Sequence, residues 1–470
     1  MSRNRKNIFL PKVPITDMAH EGRSVAKVDG CVVFVEGAVP GDVADLRVFR
    51  KKSSFMEAVP THYHQYSPHR VPPACQHFGV CGGCKWQHLD YAAQLRFKQE
   101  QVVQNLARIG KLDLPEISPI IPSSQTFYYR NKLEFTFTSR YWLTADQVAH
   151  PEEAFEDRRG LGFHVPKMFD KVLDIEHCHL QPDPSNAIRN GLRDFAKEAG
   201  LEFFDLKSQE GLLRNLVIRT ANTGDVMAIV IFSRHDRSAI EQVMAFLQEN
   251  FPQITSLQYI VNPKRNDSYA DLDVHCHAGL PYIVERMEDL QFRVGPKSFY
   301  QTNAEQAYEL YKVAREFAGL SGHEVVYDLY TGTGTIAQFV ARQAKQVVGI
   351  EYVPAAIDDA KANAQVNGLR NTSFYAGDMK DLLNDAFLEA NGRPDVVITD
   401  PPRAGMHEDV VRMLCRIAAP RVVYVSCNSA TQARDLALMK DLYDVKAVQP
   451  VDMFPHTQHV ENVVLLERKP

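Results

Sequence analysis

The sequence predicts a multidomain α/β and β protein. An OB-like β barrel comes first, a mixed α+β region follows, and a Rossmann-like domain ends the chain. Three observations carry this. The length of 470 residues suits about three domains. Short apolar runs broken by glycine turns fill the first 60 residues. From about residue 323, near-continuous apolar strands alternate with helices, the pattern of a parallel sheet covered on both faces.

Composition sets the outer limits. At 45% hydrophobic and 24% charged, the chain is an ordinary globular protein. No run approaches the ~18 uncharged apolar residues of a membrane span, and the basic start Met1–Leu10 lacks the apolar core of a secretory signal. A cytoplasmic, reducing compartment is therefore expected. The net charge of −5 argues against a nucleic-acid partner until its distribution is seen. Residues 1–130 hold 17 Lys+Arg against 11 Asp+Glu, a charge of +6. The remaining 340 hold 36 against 47, a charge of −11.

Within the barrel, Cys31–Glu36 reads as a strand and Val39–Asp42 as a turn. Arg47, Arg50, Lys51 and Lys52 cluster near its last strand, either as a solvated edge or as an RNA contact. Residues 61–90 are rich in Pro, His and Cys. Residues 90–110 read as a helix capped by Asp90, with Leu95, Val102, Leu106 and Ile109 on one face and Gly110 as its stop. Strand-like runs at 215–220 and 226–232 mark the middle region. Thr302–Leu320 reads as a helix opened by a capping box of Thr302 and Glu305. In the last domain, strands are expected at 324–330, 346–352, 373–378, 395–400, 421–427, 444–454 and 460–468. The expected domains are 1–62, 63–290 and 291–470.

Ligands of such sheets bind at the carboxyl ends of the strands, and the polar motifs fall there. Asp328-Leu-Tyr-Thr-Gly-Thr-Gly-Thr335 joins a strand to a helix, with Gly332 and Gly334 allowing close backbone approach. Glu351 lies 19 residues after Gly332, where a carboxylate suits a ribose diol. Asp378 ends the third strand and could meet an adenine amine. Thr335-Ile-Ala breaks the full dinucleotide fingerprint, so a nucleoside cofactor without pyrophosphate, such as S-adenosylmethionine, fits better. Asp400-Pro-Pro-Arg403 stiffens the fourth strand's exit. Cys427, in Val425-Ser-Cys-Asn428, precedes a helix that Ser429 could cap. That helix dipole is expected to lower its thiol pKa below about 8.5. Glu461 enters the final strand at the same edge.

Cys75-x5-Cys81-x2-Cys84 with the distant Cys178 offers four thiolates, which fit zinc or an iron–sulfur cluster equally. His77, His88, His177 and His179 lie nearby. The Cys-x3-Cys-x2-Cys spacing of radical enzymes is absent. Cys31, Cys276 and Cys415 read as core residues.

Together these motifs resemble the RNA 5-methyluridine methyltransferase family, especially its RumA/RlmD-type 23S rRNA enzymes. The resemblance rests on Ser298-Phe-Tyr-Gln-Thr-Asn303, Asp400-Pro-Pro-Arg-Ala-Gly405, Val425-Ser-Cys-Asn428 and Asp452-Met-Phe-Pro-His-Thr-x-His-x-Glu461. It covers nearly the whole chain. It implies a TRAM domain at 1–62, a 4Fe–4S cluster on Cys75, Cys81, Cys84 and Cys178 in the central domain, and an S-adenosylmethionine methyltransferase domain at 291–470. By the same resemblance, Gln301, Tyr330, Glu351, Asp378 and Asp400 contact S-adenosylmethionine, Cys427 is the nucleophile and Glu461 the base. The implied partner is RNA, 23S rRNA or else tRNA, with no membrane partner and a monomeric enzyme. One departure is Thr331-Gly-Thr-Gly, where many members carry Cys-Gly-x-Gly. Two other readings of the motifs are a base amino-methyltransferase, which needs no thiol, and a non-catalytic RNA-binding scaffold.

Overall fold

A computed structural model describes residues 8–19, 22–150 and 156–470. The backbone groups into two compact units: residues 1–101 with 454–459, and residues 102–453 with 460–470.

Unit 1 contains the strands β1 (Ile8–Pro14), β2 (Asp17–Met18), β3 (Ser24–Val28), β4 (Cys31–Val35), β5 (Val43–Lys51) and β6 (Phe55–Gln65). They form one sheet in the order β1-β5-β6-β4-β3-β2. Alternation along β5 explains its core: Ala44, Leu46 and Val48 point inward and are buried with Val13, Val33, Val35 and Ala58. The expected turn at 39–42 forms because the buried Asp42 carboxylate accepts from the Val39 and Ser67 N–H groups (2.7 and 2.9 Å). Residues 71–90 form no long strand or helix. Trp86 and Leu89 anchor this segment in a core with Val39, Ala93 and Phe97.

The helix α1 (Tyr91–Asn105) then begins, and its last part belongs to unit 2. Asp90 caps it as expected, accepting from Ala93 N–H at 2.7 Å. Its buried face departs from the apolar periodicity, because Gln94 and Lys98 are buried while Ile109 is exposed. Both polar side chains find carbonyl acceptors, at Leu89 and Phe454, which makes their burial tolerable. The helix finishes as a π-helical turn at Leu106–Gly110.

Unit 2 holds two seven-stranded sheets. The first comprises β7 (Lys132–Thr138), β8 (Gly160–His164), β9 (Val172–Asp174), β10 (Leu213–Thr220), β11 (Val226–Phe232), β12 (Ser256–Val261) and β13 (Val274–Gly279), in the order β13-β12-β11-β10-β7-β8-β9. Helices α2 (Ala145–Ala149), α3 (Ser185–Glu198) and α4 (Arg237–Asn250) connect its strands. A hairpin of β14 (Ile283–Met287) and β15 (Leu290–Val294) leads to α5 (Ala304–Ala318). The cap of α5 is Asn303 rather than Thr302, since its side chain accepts from Gln306 N–H at 3.2 Å. Asparagine fills this role as well as threonine does, so the capping box expected one residue earlier does not form.

The second sheet is the expected doubly wound one. It contains β16 (Val325–Leu329), β17 (Gln346–Glu351), β18 (Thr372–Ala376), β19 (Val396–Thr399), β20 (Arg421–Ser426), β21 (Tyr443–Val451) and β22 (Glu461–Arg468). The order is β18-β17-β16-β19-β20-β22-β21. The helices α6 (Thr335–Ala341), α7 (Pro354–Val366), α8 (Met379–Leu382), α9 (Asp385–Asn391), α10 (Glu408–Ile417) and α11 (Ser429–Met439) fall between its strands. The first five strands run parallel; β22 is antiparallel to β20 and to β21. No described helix is long and apolar enough to cross a membrane.

Candidate active site

The expected site residues Tyr330, Glu351, Asp378, Asp400, Cys427 and Glu461 lie at or just beyond strand ends at one edge of the second sheet. Asp328 is the penultimate residue of β16, and its buried carboxylate accepts from Thr331 Oγ1 and Ala337 N–H (3.0 Å), tying the glycine loop to the first turn of α6. Burial, with Glu351 adding repulsion, pushes this acid up to about 7. Sequence reasoning passed over Asp328 because it lies within a strand, not at its tip.

The loop is left-handed at Tyr330 (φ 61°), Gly332 (φ 53°) and Gly334 (φ 75°). A Cβ on Gly334 would meet Ala360 Cβ at 2.9 Å, so glycine is needed there on space as well as conformation. For Tyr330 the same conformation stores strain of about 1–3 kcal/mol, a frequent mark of a functional position. Its phenol is pushed up to about 12 by burial and by the neighbouring Asp435, Asp378 and Glu351 carboxylates. Glu351 closes the loop from β17, accepting from Gly332 N–H (3.2 Å) and Val353 N–H (3.0 Å). Asp378 caps α8 through Lys380 N–H (3.1 Å), and that bond holds its carboxyl below the usual range.

Gln301 precedes α5. Its backbone carbonyl accepts from Asn131 Nδ2 (3.0 Å). Its side chain bonds the buried phenol of Tyr311, which also feels the Asp400 charge. Tyr311 was missed because, on α5, it has the spacing of an ordinary core aromatic.

Asp400 follows β19, with its N–H on Leu329 O (3.3 Å). Burial and then the Asp328 carboxylate push it up to about 7. The Pro-Pro-Arg turn that follows is pinned to the start of α11: Arg403 O accepts from Asn428 Nδ2 (3.0 Å) and Thr431 Oγ1 (3.2 Å). Asp435, buried on α11, holds Met406 N–H at 2.8 Å. The cap of α11 is Asn428, which accepts from Ala430 N–H (3.1 Å), and not Ser429. Ser429 is already inside the helix, with its Oγ bound by Asn105 Nδ2 (2.8 Å).

Cys427 and Glu461 are brought together by register. Ser426 pairs with Asn462 across the antiparallel β20–β22 ladder, so the residue after Ser426 lies opposite the residue before Asn462. Glu461 is buried and pushed up to about 8, first by burial and then by Asp400, with Arg403 opposing. The Cys427 thiol is pushed up to about 11. This reverses the expectation from the helix dipole. Burial is the largest cause, the Glu461 and Asp400 carboxylates add to it, and Arg403, bonded to the thiol, offsets only part.

The four cysteines of the expected cluster fall in both units. Cys75, Cys81 and Cys84 lie half-buried in the turn-rich segment of unit 1, and Cys178 is buried in unit 2. The thiol chemistry suits iron or zinc. Yet among the described residues no three His, Cys, Asp or Glu side chains gather as a metal-ligand set. Of the three cysteines expected in cores, Cys31 and Cys415 pack half-buried against the barrel core and the core of the second sheet, while Cys276 is exposed. Cys276 lies on β13, an edge strand of its sheet, beside the equally exposed His275; a strand paired on one side only is less covered than a central one.

The family model "tRNA (Uracil-5-)-methyltransferase" matches residues 282–469, and a TRAM domain model matches residues 12–60. An uncharacterized RNA methyltransferase of Bacteroides thetaiotaomicron is 60% identical over 453 residues, covering 96% of this chain and 100% of its own. One from Porphyromonas gingivalis is 55% identical over 460 residues, covering 97% and 99%. Among solved structures, the Pyrococcus abyssi tRNA (uracil-54, C5)-methyltransferase in complex with S-adenosyl-L-homocysteine is similar, with a TM-score of 0.74 and 27% identity. That match covers 97% of this chain and 100% of the other.

Proposed function

From the premise that this chain belongs to the TRAM-containing RNA uracil-5-methyltransferase family and is an S-adenosylmethionine-dependent RNA (uracil-5-)-methyltransferase, we propose that Cys427 is its nucleophile and Glu461 its base. The observation that carries this is the β20–β22 register, which sets thiol and carboxylate side by side at the ligand-binding edge. The glycine loop, Glu351 and the Asp328–Asp400 carboxylates suit a cationic nucleoside cofactor. Gln301, Tyr330, Glu351, Asp378 and Asp400 would hold it. When bound, S-adenosylmethionine supplies an electrophilic sulfonium methyl group.

Carbon 5 of uracil is a weak nucleophile. The Cys427 thiolate forms a bond to carbon 6, and the displaced π pair gives carbon 5 enolate character. Arg403, already bonded to the thiol, favours the thiolate and can steady the enolate oxygen. After carbon 5 gains the methyl group, Glu461 takes the carbon 5 proton. The electron pair left behind re-forms the double bond and expels the Cys427 thiolate. A stacked uridine must leave its stack to reach these groups. Cys427→Ala is expected to abolish both turnover and any denaturant-stable RNA adduct, and Glu461→Gln to accumulate the methylated adduct. Full activity in either variant would refute its assigned role.

The target proposed is 23S rRNA, on the motif combination in the last domain. The similarity to a tRNA (uracil-54, C5)-methyltransferase supports tRNA as a second reading. Nucleoside mass spectrometry of rRNA and tRNA from a deletion strain decides between them by which pool loses 5-methyluridine. A 4Fe–4S cluster on Cys75, Cys81, Cys84 and Cys178 is likewise proposed, on the thiol set and the sequence resemblance alone. Iron and acid-labile sulfide in anaerobically purified protein test it, with Cys84→Ser expected to lose both. An RNA substrate suits a cytoplasmic enzyme.

A further inference from the structure

We propose that Asn131 and Glu285 are positioning residues for the cofactor: the buried Glu285 carboxylate fixes the Asn131 amide, and that amide aims Gln301. This inference rests on the reading of Gln301 as a contact of S-adenosylmethionine and adds how that contact is held.

Residues 298–302 run between β15 and α5, and groups outside the segment hold both of its ends, all within unit 2. At the first end, Ser298 Oγ donates to Asp359 Oδ2 of α7 (2.6 Å), and Ser298 O accepts from Arg219 Nη2 of β10 (2.8 Å). At the other end stands Asn131, which directly precedes β7. Its backbone N–H donates to Thr302 O (2.8 Å) and its Nδ2 to Gln301 O (3.0 Å). Between the two ends, Thr333 of the glycine loop donates from Oγ1 to Phe299 O (3.3 Å). The first sheet and the glycine loop therefore grip the same short segment.

The Asn131 amide has two hydrogens to give. One goes to Gln301 O and the other to Glu285 Oε1 of β14 (3.1 Å). Glu285 Oε2 accepts from Asn222 N–H (3.2 Å). Glu285 is 1% exposed. Burial pushes it up to about 7, and no cation offsets that. A buried carboxylate without a cation costs stability, and an apolar side chain would pack this hairpin at less cost. What the carboxylate supplies is direction: with one amide hydrogen anchored on Oε1, the other is aimed at Gln301 O. A satisfied buried network of this kind holds a single arrangement. The Gln301 side chain bonds the buried Tyr311 phenol, so main chain and side chain are both set before a ligand arrives. Such pre-setting spares a ligand the cost of ordering the residue that receives it.

The test is calorimetric binding of S-adenosylmethionine to the full chain. Gln301→Ala and Asn131→Ala are each expected to weaken it about fivefold, the worth of one hydrogen bond. The double variant should bind no more weakly than Gln301→Ala, because Asn131 acts through Gln301. Glu285→Ala should match Asn131→Ala, and Glu285→Gln, which keeps an acceptor for Asn131 Nδ2, should restore binding. Asn131→Asp keeps the side chain's shape with at most one hydrogen to give. It should weaken binding too, which covers an alanine variant that fails to fold. In methylation of rRNA and tRNA from a deletion strain, Asn131→Ala should raise KM for the cofactor and leave kcat unchanged. Wild-type affinity in the Asn131 variants beside a weakened Gln301→Ala overturns the proposal, as does Glu285→Gln binding as weakly as Glu285→Ala. Losses that multiply to about 25-fold in the double variant also overturn it, because Asn131 would then act independently of Gln301. Wild-type affinity in Gln301→Ala instead defeats the reading of Gln301 as a cofactor contact, and the positioning role falls with it.

Discussion

Replacing Glu461 by Gln should make Cys427 more acidic, and only above a defined pH. The thiol sits at about 11, so its thiolate fraction at pH 8 is about one in a thousand. Burial, the largest cause, survives the substitution. The Glu461 charge, the next cause, does not. A single neighbouring charge in such surroundings moves a pKa by about one unit, or roughly a tenfold change in thiolate. Glu461 itself titrates at about 8, so below pH 7 it is mostly neutral and the variant should match wild type. Between pH 8 and 10 the variant's Cys427 should react with iodoacetamide about tenfold faster, read from the Cys427 peptide by mass spectrometry. Equal rates across pH 6–10 would refute the coupling. Half-maximal alkylation of the wild-type thiol near pH 7 would refute the dominance of burial and reinstate the helix dipole.

Two further outcomes follow from the same edge. Asp400 is raised to about 7 in the fold from an ordinary 3.8. Its contribution to stability is therefore complete below about pH 4 and is lost as pH rises through 7. Asp400→Asn removes that loss, so its thermal midpoint should gain on wild type steadily from pH 4 to 8; a constant difference would show that the carboxyl titrates normally. Asn428→Ala deletes both the α11 cap and the bond to Arg403 O. It should cost about 1 kcal/mol of stability and lower kcat more than it raises KM, and steady-state kinetics with unchanged kcat would show that the Arg403 turn holds without it.

The doubly wound sheet was legible because its strands are buried on both faces. Runs such as Val396–Ile398 and Val422–Val425 are fully buried and apolar, and each expected strand lies within two or three residues of the observed one at either end. Candidate site residues were legible where they end or directly follow strands, as Glu351 and Asp400 do. Caps were harder to place, since Thr302 and Asn303, or Asn428 and Ser429, are adjacent candidates of similar strength and only the backbone dihedrals choose between them. The buried Gln94 and Lys98 were invisible to hydrophobic periodicity, because their burial depends on carbonyls distant in sequence. The acidity of Cys427 was misjudged for a related reason. The dipole is a local property of α11, whereas burial and the Glu461 and Asp400 charges come from separate strands.

The reversed last strand explains how this site comes to hold both the proposed nucleophile and the proposed base. In an all-parallel sheet only strand C-termini reach the ligand edge, as with Tyr330, Glu351, Asp378 and Asp400. Running β22 antiparallel beside β20 brings an N-terminal strand residue to that same edge. Glu461 therefore faces Cys427 through neighbouring backbone positions, and their separation is fixed by ladder geometry rather than by long flexible side chains. Such a pair suits a reaction in which one group stays bonded to carbon 6 while the other must reach the proton on carbon 5, the adjacent atom. It also accounts for the raised acidities. Two acids and a thiol crowded at one edge each hold their proton to a higher pH than they would in water, and a sulfonium cofactor would supply a charge that favours their ionised forms.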